Sequence, residues 1–448
     1  MNAPQAAANR PLSKAWQPPG RVSLDGLRRM FSMEAAAMSS AMPGDSDADG
    51  GRTWSWDDGD WMRARDARHT GEMPLSLYRL DAADWFHSRF TQPLDWNQLA
   101  QELVPYVADL GFTHIALDDA LLAQPFAVIC RFVETCHVAG VGVVVAAHAR
   151  RAATDPSLID CCGRCHIDGI EEHNDSGTPV RCRLFVNGDL DTAVVLSCRP
   201  RWNEMYPRYL ASSPAERSLI HADWVHALTP VETDRGVLDL MPRGLAAIGQ
   251  WRLPVDGDGW QRFAALRALL ALMWALPGDK WLAMGIELGQ VLAEPFEESM
   301  RWPLLFESQH AGLLRQVADL NRLYVNEPAL QVRDDERHGF QWLVADDSDN
   351  SVVVFIRLAE SGHASLICIS NFQARVHHGY RLGVPAAGRW REIFNSDSVF
   401  YAGSNVGNGH SVMTAPVPSH AWPQSLTLTV PPMATLFLRH EVWYGDSP

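Results

Sequence analysis

The stretch VGVVVAA at residues 141–147 decides the fold class, because it is strand-like and has almost no polar face. A strand that is apolar on both faces is typical of a parallel sheet covered by helices on both sides. Two similar strands precede it, at 76–80 and 111–117, and helical patterns follow them at 96–110 and 125–139. This alternation predicts a βα barrel or a doubly wound sheet.

After Pro328 the pattern changes to short strands alone. The segments in which apolar and polar residues alternate are 339–344, 351–358, 365–370, 376–382 and 426–438. Turns rich in Asp, Asn, Gly and Pro divide them. Regularly spaced short strands of this kind predict an antiparallel β-sandwich of about 110 residues.

The chain is therefore expected to have three parts. Residues 1–72, in which Pro, Gly and Asp are frequent, are interpreted as a low-order leader. Residues 73–330 are expected to form an incomplete, shortened or distorted (β/α)8 TIM-like barrel, because the regular alternation is lost over 149–201. Residues 331–445 are expected to form the C-terminal all-β domain. Three Trp residues of the leader are expected to pack on the body, with a docking segment as the alternative: Trp54, Trp56 and Trp61.

Composition excludes several classes of function. The chain of 448 residues carries 38 Lys and Arg against 53 Asp and Glu, a formal net charge of -15. Such a chain repels phosphate backbones and anionic headgroups, so neither nucleic acid nor a membrane is an expected partner. Its apolar runs, such as 268–276, are too short to span a bilayer, and its N-terminus has no signal-like apolar core. Eight Cys form no disulfide framework, so a reducing cytoplasm is expected.

The segment CCGRCH at residues 161–166 is the only candidate metal site in the sequence. Its C-x-x-C spacing from Cys162 to Cys165 suits zinc, but no second pair of ligands follows, only Cys182. Reduced thiols in a loop are therefore the favoured interpretation, with Cys162 and Cys165 as weak metal candidates. No cofactor is predicted, because no glycine-rich phosphate loop follows the first strand.

Several blocks of sequence are specific enough to indicate a family. The stretch WQRFAALRALLALMWALPGDKWLAMGIELGQ (260–290) resembles the end of the catalytic barrel in bacterial glycogen branching enzymes, which are α-1,4-glucan transglycosylases of the α-amylase superfamily. GRWREIFNSDS (388–398), YAGSNVGN (401–408) and SLTLTVPPMATLFL (425–438) resemble the β-domain of that family. The resemblance implies retaining glycosyl transfer by carboxyl groups at the C-terminal ends of barrel strands.

The carboxylates that the resemblance implies are not found at the matching positions. Ala146 stands at the aspartate position after the third strand, and Arg151 stands at the later His position, with His148 nearby. Met241-Pro242 stands at a His-Asp pair. Arg79-Leu80-Asp81-Ala82 has the form of the nucleophile string, but it lies on the first strand and is interpreted as a chance match.

The remaining acidic candidates lie in or after the shortened stretch 151–201. Asp191 precedes a strand-like run, whereas Glu171 lies beside Glu172 in a polar stretch that suits a solvated loop. Glu287 follows the penultimate strand and is more typical of a structural carboxylate. These three, Asp191, Glu171 and Glu287, are only weak catalytic candidates.

The residual binding residues are expected to be His148, Arg151 and Trp202, with Trp224, Trp251 and Trp390 as further candidates for an exposed aromatic surface. The resemblance, with its missing carboxylates, implies a protein that binds α-glucan weakly or acts as a partner of a glycogen-metabolism enzyme. Two alternatives stay open: an active 1,4-α-glucan branching enzyme with repositioned carboxylates, and a protein-interaction scaffold.

Overall fold

Eight strands close into a barrel in the computed structural model, which describes residues 54–70, 73–148, 155–174, 179–186, 189–230, 236–240, 259–290, 299–331, 339–359 and 365–441. The barrel strands are β1 (Ser76–Leu80), β2 (His114–Leu117), β3 (Gly142–His148), β4 (Gly169–His173), β5 (Pro179–Val186), β6 (Asp189–Cys198), β7 (Gly236–Leu240) and β8 (Asp279–Ala283). The barrel is complete in its strands, so the expectation of an incomplete barrel is wrong.

The predicted distortion is confirmed, because β5 runs against both of its neighbours. The other neighbouring pairs of barrel strands are parallel. A parallel connection needs a crossover of about a dozen residues, whereas an antiparallel pair needs only a tight turn. Only residues 174–178 join β4 to β5, and only residues 187–188 join β5 to β6. These short connections leave no room for a helix and determine the reversed direction of β5.

Helices surround the rest of the barrel. They are α1 (Gly59–His69), α2 (Ala82–His87), α3 (Trp96–Asp109), α4 (Phe126–Val138), α5 (Pro156–Arg164), α6 (Pro200–Ala211), α7 (Pro214–Leu228), α8 (Gly259–Ala275), α9 (Ser308–Asn326) and α10 (Pro328–Gln331). The apolar helix α8 is buried from Phe263 to Ala275. No helix in these described ranges is long and apolar enough to cross a membrane.

The barrel strands pack against apolar residues on both faces, one set inside the barrel and the other between the strands and the helices. Leu77, Val144, Leu184 and Trp281 belong to a cluster inside the barrel. The residues that alternate with them, such as Tyr78 and Val145, belong to the larger cluster between the strands and the helices. This period of two shows which polar side chains of each strand point into the barrel.

Helix α1 corrects the expectation of a low-order leader over residues 1–72. Its side chains Trp61, Arg65 and His69 are buried against the barrel. Packing was the favoured interpretation for the Trp residues here, and it is confirmed for Trp61. Residues 1–53 lie outside the described residues.

The C-terminal domain is an antiparallel sandwich, as predicted. Its strands are β9 (Phe340–Val344), β10 (Val352–Arg357), β11 (Leu366–Asn371), β12 (His377–Val384), β13 (Arg389–Asn395), β14 (Ser411–Met413), β15 (Gln424–Val430) and β16 (Ala434–Glu441). Six form one sheet, and β12 pairs with β15 in a second. Thr435 Oγ1 donates to the carbonyl of Ala268 at 2.9 Å, which joins this domain to α8.

Candidate functional site

The candidate site is the barrel mouth, which we define as the end where β1–β4 finish. On β1, Leu77 lies in the interior cluster, so Arg79 points to the same side. On β7, Val237 lies in that cluster, so Asp239 also faces the interior. Burial of charged groups is costly unless they are paired, so their partners decide what this site can do.

An ion pair crosses the mouth from β1 to β4. Arg79 Nε lies 3.0 Å from Glu171 Oε1, and His173 Nε2 also lies 3.0 Å from that oxygen. Strands β2 and β3 separate β1 from β4 in the barrel order, so the Arg79 side chain spans the opening. Glu171 is fully buried. Oε1 is therefore paired by charge with groups of the protein itself, whereas neither Glu171 oxygen has a hydrogen-bond partner among the described residues.

Asp239 is a second interior carboxyl group, which sequence reasoning missed. It is 5% exposed. Burial raises its pKa to about 6, the negative charge of Glu171 adds to this, and a hydrogen bond with Asn203 opposes it. The signal was present in GVLDL (236–240), where alternation places Asp239 on the same face as Val237.

The two interior carboxyl groups have contrasting environments. Glu171 lies beside a cation, whereas the environment of Asp239 favours the protonated form more than water does. Pairs of this kind are what acid–base chemistry requires. However, Ala146 stands opposite Glu171 in the β3–β4 register and offers no polar group there.

Glu171 and Glu172 correct the expectation of a solvated loop, because both are fully buried on β4. Glu172 Oε1 lies 2.5 Å from Arg183 Nε, and its other oxygen pairs with Arg181. Both Arg residues are on β5, so the antiparallel pairing supplies the charges that make burial possible. Asp191 lies on β6, and its side chain is outside the described part of the structure.

Glu287 lies outside the barrel interior. Its Oε1 accepts hydrogen bonds from Tyr78 Oη at 2.6 Å and Tyr106 Oη at 2.9 Å. Tyr78 belongs to the cluster between β1 and the helices, and Tyr106 lies on α3. Burial raises the pKa of Glu287 to about 7 against these hydrogen bonds. The position supports the interpretation of a structural carboxylate.

The three predicted binding residues are not brought together as one described surface. His148 is exposed at the end of β3, whereas Arg151, like Pro242, lies outside the described residues. Trp202 is fully buried, and its Nε1 donates to the carbonyl of Asp239 at 2.9 Å. The expectation of an exposed indole face at Trp202 is therefore wrong.

Two further Trp expectations are wrong for the same reason, whereas Trp251 lies outside the described residues. Trp224 and Trp390 are fully buried. Trp224 stacks on Tyr209 with 4.7 Å between ring centroids, and Trp390 packs in the core of the sandwich. Amphipathic helices and strands bury one face, and sequence alone did not identify which face carried these indoles.

The cysteine segment is helical rather than a loop, which corrects that expectation. Cys162 lies on α5, and both Cys162 and Cys165 are fully buried in the core around the barrel. A hydrogen bond with the Cys130 thiol, together with burial, raises the pKa of Cys165. Within the ranges that the structure describes, no group of three or more His, Cys, Asp or Glu could hold a metal ion.

The fold and the position of the site define a class of protein. A barrel with charged side chains at the mouth, followed by an antiparallel domain, is the architecture of the α-amylase superfamily. Residues 342–441 match the family model described as the alpha amylase C-terminal all-beta domain.

Relatives over the whole chain define the family more closely, and the chain belongs to the 1,4-alpha-glucan branching enzymes. It is 32% identical to GlgB 2 of Xanthomonas campestris pv. campestris strain 8004, over 94% of this chain and 73% of that enzyme. It is 30% identical to GlgB 1 of Xanthomonas euvesicatoria pv. vesicatoria strain 85-10, over 86% of this chain and 68% of that enzyme.

The alignment with the first of these relatives is longer than the chain, with 539 positions against 448 residues. It therefore crosses stretches of the relative that have no counterpart here. In this barrel the connections before and after β5 are short, at residues 174–178 and 187–188.

Proposed function

We propose that this chain is a branching-enzyme homologue of glycogen or α-glucan metabolism that does not transfer glucan chains, and that it binds α-glucan weakly. A cytoplasmic location is part of the proposal. The observation that carries it is the Arg79–Glu171 ion pair across the barrel mouth. The family relationship supports the connection to α-glucan, because the relatives are branching enzymes by name.

The ion pair opposes retaining glycosyl transfer for a physical reason. That reaction needs one carboxylate to attack the anomeric carbon and one carboxylic acid to protonate the leaving oxygen. Glu171 is buried beside Arg79 and His173, and the positive charge of Arg79 stabilises its carboxylate, which reduces its nucleophilicity. Loss of one member of a catalytic set costs several orders of magnitude in rate.

Weak binding is proposed because the interior carboxyl groups that the structure describes, Glu171 and Asp239, are buried. His148 is exposed at the end of β3 and is the proposed sugar contact, with Arg151, outside the described residues, as a second one. With these contacts, we expect a dissociation constant on the order of millimolar, or about -4 kcal/mol. A role as partner of an active glycogen-metabolism enzyme is compatible with this affinity.

The activity test uses purified full-length protein and amylose. Iodine absorbance should stay constant and no α-1,6 branch points should form, whereas the Xanthomonas campestris relative serves as the active control. Turnover by the wild-type chain that disappears in Glu171→Gln or Asp191→Asn would contradict the proposal.

The binding test is affinity electrophoresis in gels with and without glycogen. Glycogen should retard the wild-type chain, and His148→Ala should remove the retardation. His378→Ala is the matched control, because His378 is exposed on the C-terminal domain. Identical mobility of the wild type in both gels would refute glucan binding and favour an interaction scaffold. Retardation that His148→Ala leaves unchanged would show that His148 is not the contact.

A second candidate function is an active transferase with repositioned carboxylates. It is favoured by the contrast between Glu171, which lies beside Arg79, and Asp239, whose pKa burial raises to about 6. In that case Glu171→Gln and Asp239→Asn would each abolish branching, whereas Glu204→Gln on the exposed face of α6 would not.

A further inference from the structure

Helix α1 closes the barrel base, the end opposite the mouth, through a buried polar cluster. His69 Nδ1 lies 2.6 Å from the carbonyl oxygen of Phe185, near the end of the reversed strand β5. Its Nε2 lies 3.1 Å from Nε2 of His114, the first residue of β2. Trp61 Nε1 donates to Asp168 Oδ1 at 3.0 Å. These contacts connect α1 to three barrel elements.

The hydrogen-bond partners of His69 and His114 fix where their protons lie. His69 Nδ1 faces a carbonyl oxygen and must donate to it. His114 Nδ1 lies 3.0 Å from Thr113 Oγ1, and that hydroxyl already donates to the carbonyl of Ser76 at 2.8 Å. That carbonyl also accepts from the Thr113 amide at 2.9 Å, so the hydroxyl can turn to donate to His114 Nδ1, and a neutral His114 then donates from Nε2 to His69 Nε2.

One proton therefore lies between the two rings, and the pair is neutral. Burial lowers the pKa of His114 well below 6.5, and the neighbouring His69 lowers it further. His69 and His114 are both fully buried, so this contact joins α1 to β2 as a neutral hydrogen bond.

A second proton lies on His137. Its Nδ1 lies 2.8 Å from Asp58 Oδ2 and its Nε2 lies 2.9 Å from Asp168 Oδ2, so both nitrogens donate to carboxylates. Burial alone would lower the pKa of His137, but the charges and hydrogen bonds of Asp168 and Asp58 raise it to about 9. Asp58 immediately precedes α1, so His137 ties this segment to the barrel.

The remaining charged and titratable groups around the cluster come from α1, α4 and the segment before β4. They are Arg65, with Nη1 at 4.0 Å from Asp168 Oδ1; Arg68; Cys136, whose pKa burial raises well above 9; Glu134, which accepts from the Asp57 amide; and His166, at 2.8 Å from Asp58. Asp66 adds a further carboxylate, with Oδ1 at 3.4 Å from Arg65 Nε, so the carboxylates around the cluster outnumber the Arg residues and favour a protonated His.

We propose that His137, held between Asp58 and Asp168, is a proton-dependent latch, which holds residues 54–70 on the barrel at neutral pH and loosens them at alkaline pH. Loss of the His137 proton breaks one of its two contacts with a carboxylate. When the contact with Asp58 is the one lost, the segment that precedes α1 loses this tie to the barrel.

The sign of the pH dependence follows from the pKa of His137, which Asp168 and Asp58 together raise to about 9. Asp168 belongs to the barrel and stays beside His137 when α1 leaves, so only the contribution of Asp58 depends on docking. The docked state therefore has this contribution at neutral pH and loses it as pH rises through about 9.

Hydrogen exchange on the full-length chain, corrected for intrinsic rates, tests the latch. From about pH 6.5 to about pH 9, the protection factor of the α1 amides should fall roughly tenfold, as expected for one charge-assisted hydrogen bond, while that of α8 stays constant. In His137→Gln the α1 protection should be low throughout. In Asp168→Asn the fall should move to lower pH. His87→Gln, on the exposed end of α2, should match the wild type.

Three results would overturn the latch. The first is α1 protection that is independent of pH over this range. The second is a loss of protection in α8 in step with α1, which would mean that the whole barrel unfolds. The third is a wild-type profile in Asp168→Asn, a variant that keeps the ring of His137.

Discussion

Replacing Glu287 with Gln should make the chain more stable at neutral and alkaline pH. Glu287 is fully buried, and Tyr78 and Tyr106 both donate to its Oε1. Its Oε2 has no hydrogen-bond partner among the described residues. An amide at this position keeps an oxygen for the two Tyr hydroxyls and cannot carry a charge.

The magnitude follows from the pKa of Glu287, which burial raises from 4.5 to about 7. Between these values the unfolded chain releases the proton and the folded chain keeps it, so the free energy of unfolding falls as pH rises. At 1.36 kcal/mol per pKa unit, the loss by neutral pH is about 3 kcal/mol. Above about pH 7 both states are ionised, and this contribution becomes constant.

Urea unfolding of the wild type and Glu287→Gln is measured at about pH 5 and about pH 8. The contribution is the change, between the two pH values, in the difference between their free energies of unfolding. Most of the 3 kcal/mol should appear as an advantage of the variant at the higher pH. Glu204→Gln controls for removal of an exposed carboxylate. The reasoning is refuted if the advantage of Glu287→Gln is the same at both pH values.

Three further substitutions, one of them with a matched control, test the packing. Trp202→Ala should cost about 3–5 kcal/mol of stability in a thermal melt, because the indole is fully buried. Gly142→Ala should lower the melting temperature, since a Cβ there would lie 2.2 Å from His114 Cδ2, whereas Gly163→Ala meets nothing within 4 Å and should be neutral or stabilising. Arg357→Met should cost about 1–3 kcal/mol in the same assay, because Arg357 donates to a carbonyl at the end of α8 at 3.0 Å.

The parts of the fold that sequence predicted are those in which burial follows a simple period. The strand predicted at 76–80 coincides with β1, and the stretch 141–147 lies within one residue of β3. In the sandwich, the segments at 351–358 and 365–370 contain or overlap β10 and β11. Continuous apolar runs and strict alternation are local signals, so one sequence is enough to detect them.

The environment of the site residues could not be predicted in the same way, because their partners are distant in sequence. Glu171 and Glu172 resembled a solvated pair, because their compensating charges come from β1 and β5. Trp202 resembled a surface residue because Trp224, on the next helix, covers its ring. Alternation alone places Asp239 inside the barrel, but the family resemblance implied a His-Asp pair at Met241-Pro242, just after it.

The reversed strand β5 has a consequence for the order in which the barrel assembles. The entropy lost on closing a loop grows with its length, and β4, β5 and β6 are joined by the two shortest connections in the barrel. These three strands make sequence-local contacts, whereas the parallel pairs wait for their crossover helices. We therefore expect the β4–β6 meander to form early, so destabilising its turns should slow refolding more than it speeds unfolding.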